Sequence, residues 1–334
     1  MLEPTISLDY GSGGKKTAAL IEEMIVPLFK NDALCALGDG AVLSGAEKIV
    51  FSTDSFVIRP IFFPGGDIGK LAVCGTVNDI AMAGGEPKYL SLSLIIEEGL
   101  PTKELQAVLE NAARTAKKAN VQIVTGDTKV VEKGGCDKLM INTTGIGFLR
   151  HPGLHPSAIR PGDRVIVSGT IGDHGAAVML AREPLLLQGD LKSDCAPLHE
   201  MAAALYALGP ALRVLRDPTR GGAATTLNEF TEAGSFGILL AEEAIPVAPA
   251  VRTSCEILGL DPLYCANEGK LLAVVSAEKA QEALTMLKRF PEGKDAAVIG
   301  EATEENPGRV ILRTEFGGTR ILSKLSGAQL PRIC

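Results

Sequence analysis

The chain has 334 residues and a formal net charge of −7, with 46% hydrophobic and 22% charged residues, which predicts two folded domains rather than disorder. The absence of a long Lys/Arg run argues against nucleic-acid binding, and we find neither an apolar run that could span a membrane nor a signal-peptide pattern. Seven scattered cysteines without a C-x-x-C pair argue against a disulfide framework or a zinc site and predict a reduced, cytoplasmic protein.

The N-terminal segment, residues 1–36, contains a Gly/Ser-rich turn at residues 9–14, followed by Lys15 and Lys16. Backbone N–H groups and lysines in such a turn can contact a phosphate, but the spacing is not that of a Walker A loop. An ordinary N-terminal turn explains the pattern equally well. Apolar residues between positions 20 and 28 then predict a short amphipathic helix.

Residues 37–150 are expected to form the first α/β domain, because strand-like and helix-like patterns alternate along them. The predicted strands are 49–51, 88–96, 121–125 and 138–149, and the predicted helices are 68–83 and a helix capped by Thr102 that runs to residue 116.

Four aspartates of this region stand beside Gly, Ser, Thr or Asn: Asp39, Asp54, Asp79 and Asp127. Three lie in turns next to the predicted strands, and Asp79 lies within a helical pattern. Each one alone is more simply a turn or cap residue. Together they offer hard oxygen ligands without His or Cys, which suit Mg²⁺, and Mg²⁺ suits phosphates. We therefore predict a Mg-nucleotide site built by several strand-end loops.

A His- and Pro-rich linker at residues 151–162 precedes a second α/β domain, residues 163–321. Its predicted strands are 164–168, 236–241, 271–276, 297–300 and 310–313. Its predicted helices are one that follows the segment 169–175 and runs to residue 180, and the segments 198–208, 223–233, 247–258 and 279–290.

Two turns of the second domain carry candidate functional residues. Thr219 and Arg220, followed by two glycines at a helix start, form either an anion site or a tight turn with a surface arginine. Glu268, between Asn and Gly before a buried strand, is either part of a simple connection or a base placed in a cleft.

The last segment, residues 322–334, has no helix or strand pattern and ends on Cys334. We interpret it as a flexible arm. A terminal thiol close to Arg332 can carry a covalent group, although a frayed terminus that ends in Cys explains the tail alone more simply.

Taken in order, these motifs strongly resemble the hydrogenase-maturation carbamoyl dehydratases, the HypE family. The acidic turns are shared with a wider superfamily that includes aminoimidazole ribonucleotide synthetase, selenophosphate synthetase and thiamine-monophosphate kinase, whereas the last four residues are more specific. The matching motifs are GSGG at 11–14, GDGAV at 38–42, TDS at 53–55, NDIA at 78–81, GDTK at 126–129, SGTIGDHG at 168–175, DPTRGG at 217–222, NEG at 267–269 and PRIC at 331–334.

The resemblance implies a two-domain α/β (α+β) fold, with a homodimer in which the first domains contribute strands to an intersubunit β-barrel. It also implies a reaction in which a partner carbamoyltransferase of the HypF family loads a carbamoyl group onto Cys334. ATP-dependent dehydration would give a thiocyanate. The cyano group would then pass to iron held by HypC and HypD family proteins, for a nickel–iron hydrogenase.

This chemistry assigns roles to the candidate residues. Cys334 would be the carrier, and Lys129 and Glu268 would be the acid/base candidates. Thr219 and Arg220 are weaker candidates for contact with phosphate or the tail. The residues assigned to Mg-ATP are Asp39, Thr53, Asp54, Asp79 and Asp127, with the four aspartates as metal ligands.

Two other functions stay open on the sequence. A small-molecule kinase or synthetase of the same superfamily would need no terminal cysteine, and the N-terminal turn here lacks the reactive Cys or selenocysteine of selenophosphate synthetases. A non-catalytic, nucleotide-dependent assembly module would show no covalent change at Cys334. Clustered carboxylates and a mobile thiol argue against such a module.

Overall fold

The structure, a computed structural model, describes residues 2–38, 40–182 and 190–325. Two predicted site residues, Asp39 and Cys334, lie outside these ranges. The described chain forms two α/β domains, so the predicted fold class is confirmed.

The N-terminal segment packs on the first domain through the predicted amphipathic helix. Helices α1 (Lys15–Leu20) and α2 (Val26–Phe29) are joined by a π-helical turn, Ile21–Ile25, and a short α3 (Asp32–Cys35) follows. The apolar face buries Leu20, Met24 and Phe29 against the first core, as 3.6-residue periodicity requires.

The first domain is a four-stranded sheet with two long helices on one face. Its elements are β1 (Ile49–Phe56), β2 (Phe62–Phe63), β3 (Gly66–Asp67), α4 (Ile68–Met82), β4 (Gly85–Glu97), α5 (Thr102–Lys118), β5 (Gln122–Val131) and β6 (Leu139–Leu149). The sheet order is β1-β6-β4-β5, with only β4 and β5 parallel. Alternation in β4 turns Leu90, Leu92 and Leu94 toward the helices, while Ile95 is exposed on the opposite face.

Two predicted turns of this domain are wrong, because Asp54 and Asp127 lie inside strands. Asp54 belongs to β1, where it pairs with Thr143, and Asp127 belongs to β5. Cross-strand hydrogen bonds extend both strands through these polar segments. Thr102 is likewise not the cap of α5 but its first residue, and its hydroxyl donates to the Glu3 carbonyl instead.

The second domain is a mixed seven-stranded sheet ordered β13-β12-β9-β11-β7-β10-β8. Its elements are β7 (Arg164–Val167), α6 (Asp173–Arg182), α7 (His199–Tyr206), β8 (Leu212–Arg216), α8 (Gly222–Glu232), β9 (Gly237–Ala241), α9 (Pro249–Leu258), β10 (Leu272–Val275), α10 (Ala280–Leu287), β11 (Ala297–Thr303), β12 (Val310–Arg313) and β13 (Thr319–Leu322). Strands β8 and β13 were not predicted. In β13 only Leu322 is buried, so the strand has no apolar alternation to detect.

Helix α4 joins the two domains. Its last turn places Ala81 and Met82 in the same buried cluster as Leu198 and Met201 of the second domain. Almost the whole helix is buried, which makes it a rigid element shared by both cores.

Candidate active site

A cleft of about 1030 Å³ lies between the two domains. Strand β1 and helix α4 form one wall, and β8, the turn after it and α8 form the other. Glu268 contributes to the lining from the loop before β10. Five predicted site residues therefore share one cleft with it: Thr53, Asp54, Asp79, Thr219 and Arg220.

Asp54 and Asp79 form the acidic part of the first wall. The alternation of β1 turns Ser52 and Asp54 toward α4, where the Ser52 hydroxyl donates to Asp79 at 2.8 Å. Burial raises the pKa of both carboxyl groups, and the negative charge of Asp54 raises that of Asp79 further. A site that gathers negative charge in this way is suited to a cation or to a ligand that carries one.

Thr53 lies at the same cleft, but its side chain has a different orientation. Its hydroxyl pairs with that of Thr144 at 2.9 Å, on the face of the sheet away from α4. Its predicted contact with nucleotide therefore needs a ligand at the edge of β1 rather than one seated beside Asp79.

Asp217 is a cleft residue that was missing from the predicted site. It follows β8 and is buried, and burial together with the charge of Asp79 raises its pKa to about 7. The available signal was its position at the start of the Asp217–Gly222 motif, of which only Thr219 and Arg220 were assigned.

Glu268 is a second buried carboxyl group of the cleft with a raised pKa. It is 5% exposed, and burial first, then Cys195 and Asp217, raise its pKa well above the usual range of a glutamate. A carboxyl group with a raised pKa can take up and hold a proton near neutral pH, so this residue fits an acid/base role.

The turn before α8 brings Arg220, one of the arginines that line the cleft, to the second wall. Gly221 and Gly222 adopt left-handed conformations with φ of 74° and 62°, and a Cβ at Gly222 would lie 2.5 Å from the Leu263 carbonyl oxygen. This tight turn leaves Arg220 largely exposed, with its Nη2 at 4.0 Å from Asp54 Oδ1. An exposed guanidinium beside the start of α8 is suited to contact a phosphate group.

Asp127 and Lys129 do not reach this cleft within one chain. They lie on β5, at the edge of the sheet opposite β1, and three strand spacings amount to about 14 Å. Lys129 Nζ is 2.9 Å from Asp127 Oδ1, and this contact lowers the pKa of Asp127. Within a single chain, Asp127 and Lys129 therefore do not lie beside Asp54 and Asp79, where the sequence had predicted them.

The predicted metal site is only partly assembled by the described residues. Within residues 2–38, 40–182 and 190–325, no three His, Cys, Asp or Glu side chains are grouped so that they could hold a metal ion. Asp54 and Asp79 are the two predicted ligands that face one cleft. Mg²⁺ is commonly held by one or two carboxylates together with phosphate oxygens, so this pair fits a nucleotide-bound Mg²⁺.

The chain reaches its final segment at the edge of the same cleft. The Leu325 N–H, in the last described residue, lies 3.5 Å from Thr225 Oγ1, and Thr225 lines the cleft. The Tyr264 hydroxyl donates to the Ser323 carbonyl at 2.9 Å, and the Asn228 amide donates to the Leu322 carbonyl at 3.0 Å. Nine residues then separate this point from the C-terminus, and an extended chain of that length spans about 30 Å.

Comparisons with known proteins agree with this architecture. Residues 37–149 match the family described as AIR synthase related protein, N-terminal domain, and residues 160–313 match its C-terminal domain. Carbamoyl dehydratase HypE of Cupriavidus necator is 48% identical over 332 residues, or 98% of this chain and 95% of that protein. No helix in the described part of the chain is both long and apolar enough to cross a membrane.

Two solved structures are similar over nearly the whole chain. A crystal structure of hydrogenase maturation protein HypE in complex with ATP has a TM-score of 0.95 and 46% identity, covering 99% of this chain and 100% of that one. A chain in a crystal structure of a HypE–HypF complex has a TM-score of 0.80 and 48% identity, covering 92% and 100%.

Proposed function

The chain belongs to the HypE family of carbamoyl dehydratases, enzymes of hydrogenase maturation, and we propose that it uses ATP to dehydrate a carbamoyl group carried on Cys334. The product is a thiocyanate on the same sulfur. The observation that carries this proposal is the interdomain cleft, which combines two partly buried carboxylates, an exposed arginine and a buried glutamate with the start of the C-terminal segment.

The chemistry explains why such a cleft is needed. A thiocarbamate amide cannot lose its oxygen as hydroxide near neutral pH. Transfer of the γ-phosphoryl group of ATP to that oxygen makes it a good leaving group, and it departs as inorganic phosphate when the C≡N bond forms. Two N–H protons must be removed in the process, so the reaction needs a base beside the nitrogen and positive charge beside the phosphates.

In our proposal the two walls divide these tasks. Arg220 and the start of α8 contact the phosphates, and Thr219 lies on the same turn. Glu268 accepts a proton from the carbamoyl nitrogen, because its raised pKa lets it keep that proton. Its burial also keeps bulk water from competing for the activated carbamoyl group.

We propose Asp54 and Asp79 as the described residues that hold Mg²⁺ with the nucleotide. The fit rests on two carboxylates of one cleft wall whose pKa values are raised by burial, and at Asp79 also by the negative charge of Asp54, because a divalent cation would stabilise the charged forms of both. When bound, the ion supplies charge neutralisation at the phosphates. Asp39 stays a proposed third ligand that lies outside the described residues.

We also propose that Asp127 and Lys129 act in a homodimer. Both side chains lie on the exposed face of the first sheet, which also presents Phe51 and Ile95 to solvent. An exposed sheet face with large apolar side chains is a natural contact surface for a second copy. Such a copy could bring its β5 edge to the β1 edge of the first.

The proposed partners follow from the reaction and from the similar complex. A HypF-type carbamoyltransferase loads Cys334, and proteins of the HypC and HypD families receive the cyano group on iron. Nine residues beyond Leu325 give the thiol enough length to visit both its own cleft and a partner's site.

The test is mass spectrometry of the C-terminal peptide released by cleavage after Glu315. The full chain is incubated with the carbamoyltransferase and its carbamoyl donor, and then with Mg-ATP. We expect a carbamoyl adduct on Cys334 that loses the mass of one water only after ATP is added. An unmodified peptide beside a demonstrably active carbamoyltransferase would favour the small-molecule kinase or the assembly module.

A further inference from the structure

The main chain of Glu268 is held on both sides. Its N–H donates to Asp194 Oδ1 at 3.1 Å, and its carbonyl accepts from the Ala196 N–H at 3.3 Å and from Asn78 Nδ2 at 3.4 Å. Two of these partners lie in the segment before α7, but Asn78 belongs to the other domain. Asn78 is therefore a direct link between the first domain and the proposed base.

Asn78 makes its contacts across the domain boundary. It is 1% exposed on α4, and besides Glu268 its Nδ2 donates to the Ala196 carbonyl at 3.1 Å, while its Oδ1 accepts from the Leu198 N–H at 2.8 Å. All three partners are main-chain groups of the second domain. A buried amide that satisfies three main-chain groups at once fixes their relative positions.

The neighbour of Asn78 on the helix is Asp79, which faces β1 and the cleft. Successive helix residues point about 100° apart, so one turn of α4 presents Asp79 to the proposed nucleotide and Asn78 to the Glu268 loop. Because α4 is a continuous, buried 15-residue helix, the two side chains move together. Asp79, at the proposed nucleotide site, and Asn78, which contacts the Glu268 loop, are thus separated by a single peptide bond.

We propose that Asn78 is a positioning residue for the dehydration, setting the placement of Glu268 relative to Asp79. The proposal rests on the proposed function, since it assumes that Asp79 serves the nucleotide and that Glu268 serves the carbamoyl nitrogen. Without the Asn78 amide, Asp194 and Ala196 still hold Glu268 to its own domain, but not to α4. The position of Glu268 relative to the nucleotide beside Asp79 is then no longer fixed.

This role predicts a specific kinetic pattern. Misplacement of a reacting group by about 1 Å costs on the order of 100-fold in rate. Nucleotide binding should change little, because Asp54, Asp79 and Arg220 keep their places. We therefore expect Asn78→Ala to slow dehydration about ten- to hundred-fold at saturating Mg-ATP, with the half-saturating ATP concentration within about two-fold of wild type.

The matched control is Thr76→Val, two residues earlier on the same helix. Thr76 is equally buried, and its hydroxyl lies 2.6 Å from that of Thr143, inside the first domain. The change removes a buried hydrogen bond of α4 without touching the Glu268 loop. We expect it to lower the unfolding midpoint and to leave the dehydration rate within about two-fold of wild type.

The experiment uses full-length chains carbamoylated on Cys334 by the partner enzyme, with loading checked by mass. Single-turnover conversion to the thiocyanate is followed over a range of Mg-ATP concentrations, and unfolding midpoints are measured on the same preparations. Asn78→Ser, which keeps a polar group too short to bridge both carbonyls, is measured as well and replaces the alanine variant if that one does not fold.

The outcomes separate the two proposals. A slow Asn78 variant with normal ATP dependence, beside a fast Thr76→Val, supports the positioning role. Near wild-type rates in the Asn78 variants, or equal slowing by Thr76→Val, overturn it while leaving the dehydratase proposal intact. If loaded wild-type chain does not lose water with ATP, the proposed function itself fails and the positioning role fails with it.

Discussion

The residues on either side of Glu268 hold its loop in place, so that its carboxyl group stays buried. Asn267 accepts from the Gly172 N–H at 2.7 Å and donates to the Pro218 carbonyl at 3.1 Å, which ties Glu268 to the turn that bears Arg220. Lys270 lies 3.3 Å from Asp194 and 3.5 Å from Asp173, so its buried charge is compensated. Among the described residues, no Lys, Arg or His side chain forms an ion pair with Glu268. Burial therefore raises its pKa without an opposing positive charge in contact.

The first prediction concerns Glu268 itself. Glu268→Gln keeps the size of the side chain but removes its capacity to accept a proton, so we expect dehydration to slow about 100- to 10,000-fold. Loading of Cys334 and binding of ATP should persist. The measurement is single-turnover conversion followed by mass spectrometry, with ATP binding measured separately.

Glu229→Gln is the matched control for this change. Glu229 also lines the cleft, but it pairs with Arg216 at 3.2 Å near the surface. It should retain wild-type conversion. A Glu268→Gln variant that converts as fast as the wild type would remove Glu268 from the mechanism.

The second prediction concerns His174, a fully buried histidine on α6 that no proposed step uses. Its Nδ1 is 2.8 Å from Ser193 Oγ, and burial lowers its pKa to about 4, with the charge of Asp194 opposing this and that of Arg182 adding to it. The unfolded chain protonates this side chain near pH 6.5, so acid favours the unfolded state between the two values. Stability is present above about pH 6.5 and is lost as pH falls toward 4.

From this difference we expect His174 to cost the wild type about 2 kcal/mol of unfolding free energy between about pH 7 and about pH 5. The His174→Gln variant lacks this titrating group, so its unfolding free energy should fall by about 2 kcal/mol less than that of the wild type over the same pH interval. Urea unfolding at both pH values is the measurement. Equal pH dependence of the wild type and the His174→Gln variant would contradict the assignment.

At the level of secondary-structure elements, the loop before β10 packs with its main chain directly against the main chain of the segment before α7. A Cβ added to Gly269 would lie 1.8 Å from the Asp194 carbonyl oxygen, closer than any packing allows. The loop and the segment before α7 can therefore meet only if residue 269 is glycine. This contact is what allows Asp194 to reach the Glu268 N–H.

The third prediction follows from that contact. Gly269→Ala must push the two segments apart, and we expect it to lower the unfolding free energy by about 3 kcal/mol and to impair dehydration. Gly45→Ala is the control, because nothing lies within 4 Å of a Cβ at that exposed position. Denaturant unfolding of both variants is the measurement, and equal stability would show that the close approach does not exist.

Elements also explain which predictions from the sequence failed. Helix α4 and strand β12 were recognised because their apolar residues recur with a regular period. Asp54 and Asp127 were assigned to turns because their neighbours are small and polar, yet pairing with adjacent strands carries β1 and β5 through both segments. Local propensity was overridden by hydrogen bonds to strands distant in sequence.

At the scale of the whole molecule, the arrangement of the first sheet leaves the proposed site divided. Asp54 stands at its β1 edge and Lys129 at its β5 edge, and one face of the sheet is exposed in the described part of the chain. A homodimer in which the β5 edge of one chain meets the β1 edge of the other would reunite them. Each dimer would then contain two such composite clefts.

The fourth prediction tests this composite site by complementation. A homodimer in which both chains carry Asp54→Asn should be inactive in dehydration, and so should one in which both carry Lys129→Ala. Co-expressed with different tags and purified as a mixed dimer, the two variants should recover about half of the wild-type activity, because one of two clefts then has both native residues. A mixed dimer of two differently tagged Asp54→Asn chains should stay inactive. An inactive mixed dimer of the two different variants would show that Asp54 of one chain and Lys129 of the other do not share a cleft.

The sequence by itself determined the α/β class, the family resemblance and most of the candidate residues, because periodic apolar patterns and short polar motifs are local properties of the chain. It identified Glu268 and Arg220 without showing that they face Asp54 and Asp79. Only the tertiary structure brought those residues to one cleft, added Asp217, placed Lys129 at the far sheet edge and revealed Asn78 as a link between domains. These facts depend on strand order and domain packing, which arise from contacts between residues far apart in sequence.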